Sequence, residues 1–201
     1  MAQRDNRRPA RAGPTLDAMA DETGQPGGYA AVDVGYSEPG RALAALVVAG
    51  AADFAGDLAE HVACVTGVTP YSPGEFFRRE LPALRAVLAT AGSLRLVVVD
   101  GYVDLDPDGR PGLGAHVHAE LGVPVIGVAK SFFRSATHAV PVLRGRSARP
   151  LYVTAAGLPL PEAVTVLRRM AGPFRLPEAL RRVDALSRGA PPRGRPLMPE
   201  P

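Results

Sequence analysis

The sequence predicts an α/β fold in which a mixed central sheet, an antiparallel meander followed by a parallel βαβ unit, is flanked by helices. Three observations predict it. Three strand-like runs follow one another at short intervals, two near-continuous apolar runs are then joined through a helical segment, and the last third of the chain returns to helical periodicity.

The meander is written in YAAVDVGY (29–36), RALAALVVAG (41–50) and LAEHVACVTG (58–67), separated by Gly, Pro and acidic turns. Within the third run Cys64 reads as a small buried core residue. PGEFFRRELPALRAVLATAG (73–92) is helical: Pro73 suits a helix start, Phe76, Phe77, Leu81, Leu84, Val87 and Leu88 fall near helical spacing, Pro82 is expected to bend it, and a Gly stops it. LRLVVVDG (94–101) is a buried strand, GLGAHVHAELG (112–122) a short helix and VPVIGVAK (123–130) a second buried strand. Apolar strands joined through a helix imply parallel neighbours covered on both faces. THAVPVLRG and RPLYVTAAG read as a peripheral hairpin, and helices near 160–171 and 178–188 close the core. A meander followed by α/β crossovers is the order expected of a ribonuclease H-like fold.

The flanks differ in composition. Residues 1–27 are polar, rich in Pro and Gly and basic through Arg4, Arg7, Arg8 and Arg11, and are expected to form a disordered arm. The tail 189–201 reads the same way, leaving 28–188 as one catalytic-sized domain. With 201 residues and 46% apolar content the chain is long enough to bury a sizeable core. One cysteine excludes an internal disulfide framework, and no apolar stretch reaches the roughly 18 to 20 residues of a membrane span, so a soluble cytoplasmic protein without a membrane partner is the expectation, with a monomer as the simplest assembly. A formal charge of +3 permits nucleic-acid binding without arguing for it. Against 22 arginines there is a single lysine, Lys130, in the apolar context VPVIGVAKS. A site that needs a compact, three-donor point charge does not accept Arg.

The chemistry starts from two carboxylates. Asp33 interrupts an apolar strand and Asp100 ends another. Buried carboxylates are costly unless paired or metal-bound, and two of them with substrate phosphate and waters suit Mg²⁺. Each alone is also compatible with a capping or turn-forming Asp. Glu80, in FFRRE, reads by itself as an exposed helical glutamate.

These residues lie in motifs that resemble the endonuclease V family. VDVGY is similar to that family's first Asp motif, PYSPGEFFRRE to its PYxPG…FRE segment and VVVDG to its second Asp strand. GLGAH and GVPVIGVAKS are similar to its GLxxH…PTIGVAKS block, RPLYVT to a later strand and RLPEALRRVDAL to its closing helix. The matches stand in family order over residues 29–188.

The resemblance implies a metal-dependent endonuclease of DNA repair. Metal ligands fall on Asp33 and Asp100, Glu80 completes the acidic cluster, Lys130 is the basic group beside it and Asp184 occupies the His/Asp position of the last motif. A strand-separating wedge falls on Pro70, Tyr71, Ser72 and Pro73, and the base pocket on the loop between Gly101 and Gly112. The implied substrate is DNA, single- or double-stranded, carrying a deaminated purine, above all hypoxanthine, flipped out of the helix. Cleavage on its 3′ side, with Mg²⁺ or in its place Mn²⁺, leaves a 5′-phosphate and a 3′-hydroxyl. The loop departs from the family's DGHG…HPRRFG, having DGYVDLDPDGRPG at 100–112, with Tyr102 and Val103 replacing a His and a Gly. Inosine-containing RNA, structured DNA, or nucleic-acid binding without cleavage therefore remain as alternatives. DLDPDG (104–109) reads as an acidic turn, since the position an EF-hand gives to Glu is Ala115, and His116 and His118 are two apart on a helix and so do not share a face for zinc.

Overall fold

The structure, a computed structural model, describes residues 27–38, 40–67 and 76–193. The strands are β1 (Gly28–Glu38), β2 (Arg41–Ala49), β3 (Ala59–Thr66), β4 (Leu94–Asp100), β5 (Val125–Ala129), β6 (Val140–Val142) and β7 (Leu151–Ala156). The helices are α1 (Phe76–Leu88), α2 (Leu113–Leu121), α3 (Leu160–Arg169) and α4 (Glu178–Ser187). One seven-stranded sheet runs β3-β2-β1-β4-β5-β7-β6. β1, β2 and β3 form the expected antiparallel meander, and β1, β4 and β5 are parallel neighbours.

The hairpin expected at the periphery is more closely integrated than its sequence indicates. β7 pairs antiparallel with the whole of β5, Val125 opposite Ala156 to Ala129 opposite Tyr152, and β6 forms the outer edge. The apolar residues Leu151 and Val153 explain this, because both are fully buried on the sheet. Cys64 also departs from expectation: it is exposed, and its sulfur accepts a hydrogen bond from Arg41 Nε at 3.0 Å. β3 is an edge strand, so an apolar run there need not be enclosed on every side.

Strand periodicity sorts side chains to two cores. Tyr29, Ala31, Leu96, Val98, Ile126 and Val128 point to the face covered by α3 and α4. Ala30, Val32, Val34, Val97, Val99 and Val125 point to the face covered by α1 and α2. Each fully buried aliphatic side chain, such as Leu84 and Val87 of α1, contributes on the order of 1.5–3 kcal/mol. α2 ends at Gly122 (φ 68°), whose N–H donates to His118 O at 2.9 Å, so the left-handed turn delivers the chain straight into β5.

The 1–27 arm lies outside the described residues except Gly27, and the Pro70–Pro73 segment lies wholly outside them. Of the tail expected from residue 189, residues 189–193 are described, and its start is fastened. Arg182 Nη2 donates to Pro191 O and Arg193 N donates to Glu60 Oε2, each at 2.6 Å.

Candidate active site

The parallel strands β1, β4 and β5 all present their C-terminal ends to one edge of the sheet. Counting in twos along β1 from Ala31 brings Asp33 to the α4 face, and counting from Val98 brings Asp100 to the same face. From Val128 the same step reaches Lys130, one residue past β5. The periodicity that buries the α4-side core therefore also aims the three polar side chains of these strands at one helix.

α4 supplies the fourth group. Carboxylate oxygens of Asp33, Asp100 and Asp184 lie within 4.8 Å of one another. Lys130 Nζ stands 2.5 Å from Asp100 Oδ2 and 2.8 Å from Asp184 Oδ1. Arg188 Nη2 approaches Asp184 Oδ1 at 3.0 Å, one helical turn on. Ser187 Oγ is 2.8 Å from Asp33 Oδ2 and 3.0 Å from Asp184 O, so its one proton ties either the strand carboxylate or the helix backbone. The close approach requires Gly35, since a Cβ there would overlap the Ser187 carbonyl.

Glu80 reaches the same cleft from α1, on the opposite face of the sheet. Taken alone it was expected to face water; it is 5% exposed. The amphipathic packing of Ala83, Leu84 and Val87 turns that side of α1 inward, and Glu80 lies one turn before them. Burial, then the charges of Asp33 and Asp100, push its carboxyl up to about 9. Burial raises Asp100 above the ordinary carboxylate range, opposed by the hydrogen bond and charge of Lys130. For Lys130 burial acts downward, but the hydrogen bonds to Asp100 and Asp184 prevail and hold the ammonium above its usual value. Tyr36 lines the cleft beneath Arg79, whose guanidinium is 3.7 Å from the ring centroid, and burial followed by the Glu80 charge raises its phenol.

The cleft, about 530 Å³, thus sets four carboxylates against Lys130 and Arg188. That excess of negative charge, with an all-oxygen donor set of three converging aspartates, fits a hard divalent cation. The four acidic residues of the cleft are those named from the sequence, but the converging trio has one member more than the two expected metal ligands. Asp184, assigned no metal from sequence, stands with Asp33 and Asp100, whereas Glu80 lies in the cleft outside that trio.

The loop after β4 is built separately. Gly101 has φ 147° and open space where a Cβ would stand. The chain then folds over β5 and β7: Val103 N donates to Thr154 Oγ1 of β7 at 2.8 Å, and a Cβ on Gly127 of β5 would fall 2.7 Å from Gly101 O. Gly112 N donates to Val103 O at 2.7 Å, and a Cβ at Gly112 would lie 2.7 Å from the Tyr102 and Val103 carbonyl oxygens, so both glycines shape the loop. Between them an Asp104–Pro111 bridge closes a small turn in which Asp106 Oδ1 accepts from Arg110 N at 3.0 Å. Tyr102 joins this loop to the one after β5: its hydroxyl donates to Ser131 O at 2.8 Å and accepts from Phe133 N at 3.0 Å. His116 stacks on Phe77 at 3.8 Å, and His118 Nδ1 donates to Val123 O at 2.7 Å, so each helix histidine has a packing role.

Sequence reasoning did not find Gly35, Ser187, Arg188 or Arg175. The first three carry a signal in hindsight, standing two residues from Asp33 and three and four from Asp184, the spacings that share a strand or helix face. Arg175 opens the RLPEALRRVDAL motif, but nothing in its spacing reveals its contacts. Its Nη2 donates to Lys130 O at 2.5 Å and Pro150 O at 2.8 Å, fixing the ends of β5 and β7.

A mixed sheet in this order, with aspartates gathered at the C-terminal edge of its parallel strands, defines a nuclease of the ribonuclease H-like class. The sequence comparisons then narrow the class. A family model for endonuclease V matches residues 19–185, and the chain belongs to the endonuclease V family. It is 33% identical over 197 residues to the endonuclease V of Streptomyces coelicolor, covering 86% of this chain and 84% of that one. The crystal structure of endonuclease V from Streptomyces avermitilis superposes with a TM-score of 0.67 at 31% identity, over 81% of this chain and 80% of that one. Ciona intestinalis endonuclease V, in complex with a 24mer DNA containing an inosine followed by a ribo-adenosine, shares the fold with a TM-score of 0.63 at 18% identity, over 81% and 84% of the two chains.

Proposed function

We propose that the protein is a Mg²⁺-dependent endonuclease of DNA repair that recognises hypoxanthine in DNA and hydrolyses a phosphodiester on its 3′ side. The observation that carries this reading is the convergence of Asp33, Asp100 and Asp184 within 4.8 Å in a chain of the endonuclease V family.

Asp33, Asp100 and Asp184 hold the cation, for which Mn²⁺ is an acceptable substitute. When bound, it supplies Lewis acidity toward the scissile phosphate and the leaving oxygen. The chain's own groups do the rest. Lys130, already positioned by two aspartates, offers its remaining N–H to a phosphate oxygen. Glu80, buried in the same cleft as the aspartates, is placed to exchange a proton with the attacking water or the leaving 3′ oxygen. Water adds to phosphorus as the bond to the 3′ oxygen breaks, and the water's proton ends on that oxygen, giving a 5′-phosphate and a 3′-hydroxyl. Pro70, Tyr71, Ser72 and Pro73 wedge the strands apart, and the Gly101–Gly112 loop, braced by Tyr102, receives the flipped base. Among the described residues no helix is long and apolar enough to cross a membrane; we assign the activity to a monomer in the cytoplasm.

The substrate is tested with end-labelled single- and double-stranded DNA carrying one hypoxanthine, an undamaged control and an inosine RNA, each with Mg²⁺ or chelator, beside an Asp100→Ala variant. Metal-dependent cutting 3′ to the lesion, absent in the variant and on undamaged DNA, is expected. Preferential cutting of the RNA would move the substrate, and binding without cutting of any strand would overturn the enzymatic reading.

A further inference from the structure

The acidic cleft does not end at Asp184. That residue also lines a second cleft of about 640 Å³, with Phe174, Arg175, Leu176 and Arg181. Phe174 is 51% exposed, unusual for a ring whose backbone is so firmly fixed. Arg144 donates through Nη1 to Phe174 O at 2.7 Å and through Nη2 to Met170 O, and Arg175 Nε donates to Arg149 O at 3.0 Å. The Arg181 guanidinium lies 4.3 Å from the centroid of the Phe174 ring. On α4, Arg181, Asp184 and Arg188 are spaced i, i+3 and i+7, so one helix face carries a cation on either side of the shared aspartate.

Resting on the nuclease reading above, we infer that this second cleft holds the strand next to the scissile phosphate, with a base stacked on Phe174 and a backbone phosphate at Arg181. A strand whose phosphate enters the aspartate trio meets repulsion at its neighbouring phosphates, and cations flanking the trio offset it. The groove and the cluster share Asp184 as a wall, which places a chain leaving one beside the other. An aromatic ring beside a guanidinium is the combination that takes any base by its face, which serves a subsite beyond the lesion, where sequence varies.

The test measures affinity of the full chain, in chelator, for a fluorescent single strand with one hypoxanthine, trimmed stepwise from the 5′ end or from the 3′ end, with an unmodified strand in parallel. The wild type is expected to lose about tenfold in affinity when the nucleotides reaching the groove are removed from one end, which also gives the strand's polarity. Phe174→Ala abolishes that step, Phe174→Trp restores it, and Arg181→Ala lowers the salt slope of the long strand by about 0.7. Both side chains are exposed, and melting curves verify that the variants fold. No trimming step in the wild type, or the same step in Phe174→Ala, would overturn the assignment. Loss of lesion-dependent cutting with the trimming step intact would instead count against the proposed repair activity and leave the groove standing.

Discussion

Lys130, one residue past β5, and Asp100, at the end of the neighbouring parallel strand β4, form an ion pair of 2.5 Å at the edge where the sheet meets α4. The sole lysine of the chain is thereby the only cation that touches two members of the aspartate trio among the described residues. Replacing it by Met removes the point charge and leaves the aspartates facing one another. Single-turnover cleavage is expected to fall by about 10²-fold or more. Lys130→Arg should not restore the rate, because a planar fork cannot take the ammonium's place between two carboxylates.

Gly35 makes the contact between β1 and α4 that brings Asp33 beneath Ser187. Gly35→Ala should push the helix away and destabilise the fold by about 1–3 kcal/mol, measured as a urea midpoint. Cleavage should fall by more than the unfolded fraction explains, since Asp184 moves with the helix.

Glu60 and Arg182 form a two-pronged pair at 2.6 Å on each prong, with the Glu60 side chain 2% exposed. The Arg182 hydrogen bond holds Glu60 below its ordinary 4.5, against burial. A depressed folded value means that the pair's contribution is complete above 4.5 and is lost as pH falls through the lower folded value. Arg182→Ala, which leaves the buried carboxylate only the Arg193 N–H, should cost about 3 kcal/mol near neutral pH and much less in acid, where Glu60 is protonated in both states. Denaturant titrations at the two pH values give the comparison.

Tyr102 bridges the loops after β4 and β5 through one hydroxyl. Tyr102→Phe should leave the fold within about 0.5–1.5 kcal/mol of wild type but weaken discrimination between hypoxanthine and adenine, because the bridge orders the loop that receives the base. The ratio of cleavage rates on the two strands measures it.

How far the sequence carried this reading depends on what each residue's neighbours in the chain reveal. β1, β4 and β5 were legible because strands buried on both faces are written as continuous apolar runs, and Asp33 and Asp100 stood out against them. Asp184 was not legible in that way: on a surface helix an aspartate is ordinary, and only its motif singled it out. The burial of Glu80 is not legible in isolation, because a charge run, FFRRE, hides which of its members faces inward. β7 against β5, Cys64 on an edge and the Arg175 clamp are all decided by partners distant in sequence, for which no local periodicity exists.

The most direct test of the central claim, that the aspartate trio makes this chain a metal-dependent nuclease, is a Mg²⁺ titration of single-turnover cleavage on a hypoxanthine strand by the wild type and Asp100→Asn. Saturable cutting by the wild type, none in chelator, and a loss of about 10³-fold or more in the variant are expected. Cutting that persists in chelator, or that survives in Asp100→Asn at the wild-type rate, would contradict that claim.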